Sequence, residues 1–137
     1  MPEPDSRYVR VPDPLPDTPE IRRMMAGYHE SVRRMDEGHG RVLAALERNG
    51  FAGNTLVIFT SDNGCSKAAG ISGLAEQGHI VSAHLRGSKA DIWDGGHRIP
   101  FLVRWPGKVE PASFCDQLIC LTDLFATVAE ITGQSVP

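Results

Sequence analysis

Two short segments of this chain carry residue types that could do chemistry together. The first is Thr55-Leu56-Val57-Ile58-Phe59-Thr60-Ser61-Asp62-Asn63-Gly64, an apolar, β-branched run that stops at an acid, an amide and a glycine. A carboxylate and an amide carbonyl are hard oxygen donors, suited to Ca²⁺ or Mg²⁺ rather than to a soft metal. Such an ion takes six or more oxygens, so Asp62 and Asn63 would supply only part of its shell. Asp, Asn and Gly are also the commonest turn formers, and spacing alone favours a turn. The second segment, Leu85 to Pro100, places Lys89 in a glycine-flanked loop after Arg86 and before Asp91, Asp94 and His97. An ammonium beside a bound ion could hold a divalent anion and offset charge on a departing oxygen. For an arbitrary loop lysine, plain solvation is the ordinary reading. Asp91, Asp94 and His97 could be ligands or could anchor the loop by hydrogen bonds.

The remaining reactive side chains are less pointed. No two of the five histidines form an i, i+4 metal pair around a Glu. His79 and His84 fall in the loop between the two segments, where they could face a substrate. His39 lies on an apolar helix stripe and is expected to pack. Cys65 sits beside the Asp62-Asn63 edge without a base partner and reads as structural.

The elements that must position these residues follow from periodicity and punctuation. Residues 1–18 are proline-rich without apolar periodicity and read as an extended arm; residues 19–137 form the domain. A helix starts at Pro19, with Asp17 or Thr18 as cap and Glu20 complementing the dipole. Ile21, Met25, Tyr28, Val32, Met35, His39, Val42 and Leu46 recur on one stripe of that helix. Gly38 and Gly40 predict a bend or break, and Asn49-Gly50 a stop. Arg22, Arg23, Arg33 and Arg34 sit among acids and read as a solvated face. A strand over 55–61 follows directly, which reads as the αβ half of a crossover and implies a parallel sheet covered by helices. Residues 64–88 read as a long loop and Phe101–Trp105 as a second strand ended by Pro106-Gly107. A helix over 123–132 is capped by Thr122 and stopped by Gly133, with Leu124, Phe125, Val128 and Ile131 on its apolar face.

Composition bounds the class. The chain has 137 residues, 41% of them hydrophobic and 23% charged, which suits one folded domain rather than a disordered segment. A net charge of −3 argues against a nucleic-acid partner. No apolar run approaches the ~20 residues that span a bilayer. The polar, proline-rich N-terminus is no signal peptide, and the compartment stays open. Cys65, Cys115 and Cys120 have no metal spacing; one disulfide or three free thiols are both compatible.

Taken together, "TLVIFTSDNG", "LRGSKADIWDGGHRIPFLVRWPGKV" and "DQLICLTDLFATVAEITGQ" resemble the sulfatase family of the alkaline phosphatase superfamily, over about residues 11–135. The resemblance implies an α/β fold: a partial alkaline-phosphatase-like parallel or mixed sheet flanked by helices. It implies an arylsulfatase-like sulfuric ester hydrolase acting on a sulfate ester. Asp62 and Asn63 match the family's ligands to a divalent cation, usually Ca²⁺, and Lys89 matches its sulfate-contacting lysine. His79, His84 and Arg86 are weaker substrate-binding candidates. The family's nucleophile is a formylglycine made from Cys or Ser in a C/S-x-P-S-R motif, and its hydrated form attacks sulfur. No such motif occurs here, so the formylglycine and the nucleophile are absent from this chain. The family's paired N-terminal aspartates, which complete the metal site, are missing too.

The expectation is therefore a fragment, inactive by itself and with weak Ca²⁺ affinity at most. A periplasmic or secreted full-length parent would fit the family. The alternatives are a non-catalytic oligomeric binding module and a phosphate-ester hydrolase of the same superfamily. Exposed sheet edges and helix faces of a partial domain predict a homo-oligomer, formed by exchange of the N-terminal arm or helix.

Overall fold

Among the described residues, the buried apolar side chains belong to the N-terminal segment and a single long helix. The structure, a computed structural model, describes residues 4–13 and 15–135. Helix α1 runs Pro19–Arg48, with Thr18 accepting a hydrogen bond from the Ile21 amide at 3.2 Å. Proline in the first turn and Glu20 beside it complete the start. The helix runs unbroken through Gly38 and Gly40. Neither glycine has a positive φ, and a methyl group on either would meet nothing within 4 Å, so each lowers helix propensity without redirecting the chain. The stop lies at Asn49, followed by Gly50 at φ 74°.

The N-terminal segment is more than an extended strand of chain. A 3₁₀ turn, Ser6–Tyr8, precedes Val9, and Arg22 of α1 donates to the carbonyls of Arg7 (2.9 Å) and Val9 (3.1 Å). Val9 and Leu15 are buried with Ile21 and Ala26, and these four are the buried apolar residues among those described. On the same helix, Glu30 is buried and accepts from Arg33 through both carboxylate oxygens (2.7 and 2.8 Å) and from Arg34 (2.7 Å). Arg33 and Arg34 are thus paired with acids of their own helix, and Arg22 with Asp17 just before it.

The chain then forms β1 (Val57–Thr60), helix α2 (Ile71–Glu76), helix α3 (Asp94–His97), β2 (Phe101–Arg104) and helix α4 (Asp123–Ile131). β1 and β2 pair antiparallel, with Val57 opposite Arg104 and Thr60 opposite Phe101. This corrects the parallel crossover expected from the helix–strand succession. The chain returns from β1 to β2 through short helices and turns that reverse its direction, and no long helix lies between the two strands to carry it back over the sheet. The expected long loop at 64–88 contains α2 and a 3₁₀ turn at Lys67–Ala69. α4 starts without the expected Thr122 side-chain cap. Thr122 already has helical backbone angles (φ −63°, ψ −25°), and Asp123 instead accepts from the Cys120 amide at 2.8 Å.

Much apolar surface has no partner. The expected stripe of α1 is buried only at its N-terminal end: Tyr28 is 62% and Val42 59% exposed. His39 packs edge-on against Phe59 of β1, with ring centroids 4.8 Å apart. Helix α4 packs against no other described element, and its Phe125 is 66% exposed. The accessible surface is 10840 Å². A compact monomer of this mass would show about 7000 Å².

What ties the middle of the chain together is close backbone contact at glycines. The Gly64 amide donates to the Gly96 carbonyl at 2.8 Å, and the Gly95 amide to the Arg86 carbonyl at 2.7 Å. A methyl group on Gly64 would collide with the Gly95 carbonyl, and one on Gly95 with the Gly87 carbonyl. On Gly96 it would lie 2.5 Å from the carbonyl oxygens of both Ser88 and Asp91. Only hydrogen fits at these three positions.

Two outcomes follow for stability. Gly96→Ala is expected to destabilise the chain by about 3 kcal/mol, because backbone rather than a movable side chain opposes the methyl. Gly38→Ala, in open space on α1, is expected to stabilise by about 1 kcal/mol. Urea unfolding followed by tryptophan fluorescence distinguishes them, and equal tolerance of the two would contradict the packing account. Separately, the paired guanidinium groups of Arg33 and Arg34 lower the Glu30 carboxyl from 4.5 to about 2. A carboxyl lowered on folding contributes stability that is present above about pH 4.5 and lost as the pH falls toward 2. Asp5 and Asp17 are lowered the same way by Arg7 and Arg22, so the comparison with Glu30→Gln isolates the helix. Helical circular dichroism of Glu30→Gln should fall less between pH 5 and pH 2 than wild type; superimposable profiles would refute the assignment.

Candidate functional site

The candidate site forms where β1 ends. After Thr60 the chain turns: the Ser61 hydroxyl donates to the Asn63 carbonyl at 3.0 Å, and the Asn63 side-chain nitrogen to the Gly64 carbonyl at 2.9 Å. That second bond commits the amide nitrogen inward and leaves the Asn63 Oδ1 without a partner among the described residues. Asp62 is exposed, and its carboxylate has no partner among the described residues either. The turn expected from Asp62, Asn63 and Gly64 is thus present at the end of β1.

Lys89 reaches this edge through the backbone. Its amide donates to the Cys65 carbonyl at 2.8 Å, joining the lysine loop to the residue two beyond Asn63. The Lys89 side chain is exposed and pairs with no acid among the described residues. Its neighbours hold it from both sides. Ser88 is buried, and its amide (2.9 Å) and hydroxyl (3.1 Å) both donate to Asp91 Oδ2. Asp91 Oδ1 pairs with Lys67 at 3.2 Å. The Lys67 ammonium, then the Ser88 amide and hydroxyl, hold the Asp91 carboxyl below the usual carboxylate range. Between them Ala90 is forced to φ 72°, a left-handed conformation that a non-glycine residue keeps only when its surroundings over-determine it.

The loop acids and histidine resolve toward anchoring. Asp91 closes the Lys89 turn, and the His97 ring bonds the Ile92 carbonyl at 2.7 Å. Asp94 opens α3 and lies 4.0 Å from Arg98. The Arg86 guanidinium lies over the Trp93 ring at 3.9 Å, stacking the two ends of the loop. His79 is half-buried beside α2, whereas His84 is exposed. Cys65 is half-buried, and all three cysteines are free thiols. The Asp91–Ser88–Lys67 knot was not anticipated from sequence. Its one legible signal is a serine and an acid three residues apart across a lysine, which is also an ordinary turn pattern.

Chemically, the arrangement offers two hard oxygen donors and one unpaired ammonium on a braced backbone. Asp62 and Asn63 fit part of the oxygen shell of a Ca²⁺-sized ion, which needs more donors than these two residues give. No group of three or more His, Cys, Asp or Glu side chains converges among the described residues. Among the described residues, no helix is long and apolar enough to cross a membrane.

Comparison with known proteins identifies the family. A family model described as Sulfatase matches residues 2–134. The steryl-sulfatase of Mus musculus is 41% identical over 119 residues, covering 85% of this chain and 18% of that protein. The arylsulfatase of Hemicentrotus pulcherrimus is 32% identical over 110 residues, covering 80% of this chain and 19% of that protein. The N-acetylgalactosamine-6-sulfatase of Homo sapiens is 37% identical over 110 residues, covering 80% and 20%. The chain thus spans about a fifth of the length of these relatives. A match over nearly every residue, to a family whose members hydrolyse sulfuric esters, leads to one assignment: this chain belongs to the sulfatase family.

Proposed function

We propose that these residues form the later part of a sulfuric ester hydrolase site and act only with further sequence of that family. The observation that supports this reading is the backbone bond from Lys89 to Cys65, which ties the loop that carries the lysine to the end of the Asp62-Asn63 corner. Asp62 and Asn63 would hold the divalent cation, with Asn63 contributing its side-chain carbonyl oxygen, which has no partner among the described residues. The cation, when bound, supplies positive charge to the oxygens of the sulfate group. Lys89 would bind a sulfate oxygen and stabilise negative charge as the alcohol departs. The Asp91–Ser88–Lys67 knot keeps Lys89 in place, so little ordering remains to be done when the anion arrives. His79, His84 and Arg86 are the candidates for contacting the rest of the ester. The names of the relatives span a sterol, an aryl group and an aminosugar, so kinship leaves the alcohol open.

Without a C/S-x-P-S-R motif the chain carries no nucleophile of the family's kind, and it does not turn over sulfate esters alone. The uncovered surface supports the same division. The outward stripe of α1 and the free face of α4 are where additional sulfatase sequence would pack. A second copy of the chain could cover the same faces, giving a non-catalytic oligomer, and the exposed Phe125 and Leu102 favour that second reading to the same degree.

Inorganic sulfate in the presence of Ca²⁺ tests the site. It should shift the backbone amide resonances of residues 62–64 and 87–89, and Lys89→Ala should remove the shifts. An aryl sulfate should release no alcohol. Turnover that disappears in Lys89→Ala would refute the division of labour, and an absence of shifts in both loops would refute the anion site.

A further inference from the structure

A glycine that follows an asparagine sets up a reaction needing only water. The glycine amide nitrogen, once it has given its proton to solvent, attacks the asparagine side-chain carbonyl carbon. The bond from that carbon to the side-chain nitrogen breaks, the nitrogen takes up a proton, and ammonia leaves a five-membered succinimide. Water then opens the ring to aspartate or isoaspartate, so one amide and one water become one carboxylic acid and one ammonia. Aspartate before glycine closes the same ring with loss of water and regains that water on opening. Glycine favours the step because it has no side chain to crowd the ring and its backbone rotates freely. A glycine amide held by a carbonyl does not react, since its proton is retained and its nitrogen cannot turn toward the side chain. The chain holds three such pairs, Asn49-Gly50, Asn63-Gly64 and Asp94-Gly95. In two of them the glycine amide is bonded to a remote segment: Gly64 donates to the Gly96 carbonyl at 2.8 Å, and Gly95 to the Arg86 carbonyl at 2.7 Å. Both glycines press so closely on neighbouring backbone that a methyl group would collide. The third pair is held only by its own helix. At the exposed end of α1, the Gly50 amide donates to the Glu47 carbonyl at 3.0 Å and the Asn49 side-chain nitrogen to the Ala45 carbonyl at 2.8 Å. Those bonds open whenever the last helical turn frays, whereas the Gly64 and Gly95 bonds open only when the segments separate.

We propose that Asn49 is a site of spontaneous deamidation in the folded chain, and that the backbone contacts at Gly64 and Gly95 withhold Asn63 and Asp94 from the same chemistry. The consequence differs at the two asparagines. At Asn49 the product carboxylate replaces a donor to the Ala45 carbonyl and places negative charge at the negative end of the α1 dipole, so conversion loosens the last turn of the helix. At Asn63 conversion would set a second carboxylate beside Asp62 and remove the donor to the Gly64 carbonyl. The contact that joins the corner to the loop at 86–96 thus also preserves the neutral amide of that corner. This holds whether or not Asn63 binds a cation.

The test is incubation of the 137-residue chain in mildly alkaline buffer, followed by peptide mass spectrometry at each asparagine. In the folded chain Asn49 should convert at least about tenfold faster than Asn63. In a urea concentration that unfolds the chain the two should convert at similar rates, because glycine follows both. Gly96→Ala, which forces the Gly64 contact apart, should raise the Asn63 rate at least about tenfold and leave Asn49 as it was. A second measurement covers a variant that fails to fold. In the unaltered chain, at urea concentrations below the unfolding transition, the Asn63 rate should rise in proportion to hydrogen exchange at the Gly64 amide. Methyl transfer by an isoaspartyl methyltransferase, which reports isoaspartate, should label residue 94 only after unfolding. An Asn63 that converts as fast as Asn49 in the folded chain would overturn the proposal, as would an Asn49 that stays intact. So would an Asn63 rate that does not follow Gly64 exchange, or isoaspartate at residue 94 in the folded chain.

Discussion

The candidate site depends on how closely three stretches of backbone approach at Gly64, Gly87 and Gly95–Gly96. Peptide groups can touch at Gly64 and Gly95 because no Cβ intervenes, and short amide–carbonyl bonds join Gly64 to Gly96 and Gly95 to Arg86. One stretch carries Asp62 and Asn63, another carries Lys89, and the third leads into β2. Separate them by one methyl group and the Asp62-Asn63 corner and the Lys89 loop would become two independent loops. The conformational cost of ordering both would then fall on ligand binding. With the contact in place, that ordering is part of folding, and the left-handed Ala90 is the local strain it sustains.

The rest of the molecule is held by neighbourly contacts rather than by a central core. The N-terminal segment docks on the first turns of α1, the two strands pair with each other, and the glycine contacts join the strand ends to the lysine loop. Large apolar side chains on α1, β2 and α4 remain on the outside. Such a distribution leaves these faces open to association. It also explains why the site is braced locally, by Asp91, Ser88, Lys67 and the Arg86–Trp93 stack, instead of by burial.

Much of the secondary structure was legible because its signals are local. Thr18, Pro19 and Asn49-Gly50 mark the ends of α1, and Gly107 and Gly133 take the positive φ that ends a strand and a helix. Strand direction was not legible. An apolar run such as Val57–Thr60 reads the same whichever way its partner runs, and the partner lies some forty residues away. Helices α2 and α3 span 6 and 4 residues, too short for a 3.6-residue period to show. The buried apolar cluster was missed for another reason: Val9 and Leu15 sit in a proline-rich stretch with no period, and their burial depends on Arg22 reaching back to the backbone. At the site, residue types pointed to Asp62, Asn63 and Lys89, but their proximity rests on a bond between residues 65 and 89. That Gly64 packs against Gly95 and Gly96 is a tertiary fact that no local signal carries.

The most direct measurement is native-state hydrogen exchange at the amides of Gly64 and Lys89, which bond the carbonyls of Gly96 and Cys65. If the corner and the lysine loop form one body, both amides are protected and open with the same free energy as the paired amides of β1. If either exchanges at the rate of an unstructured peptide while β1 stays protected, the two loops move independently and the site does not exist as a unit.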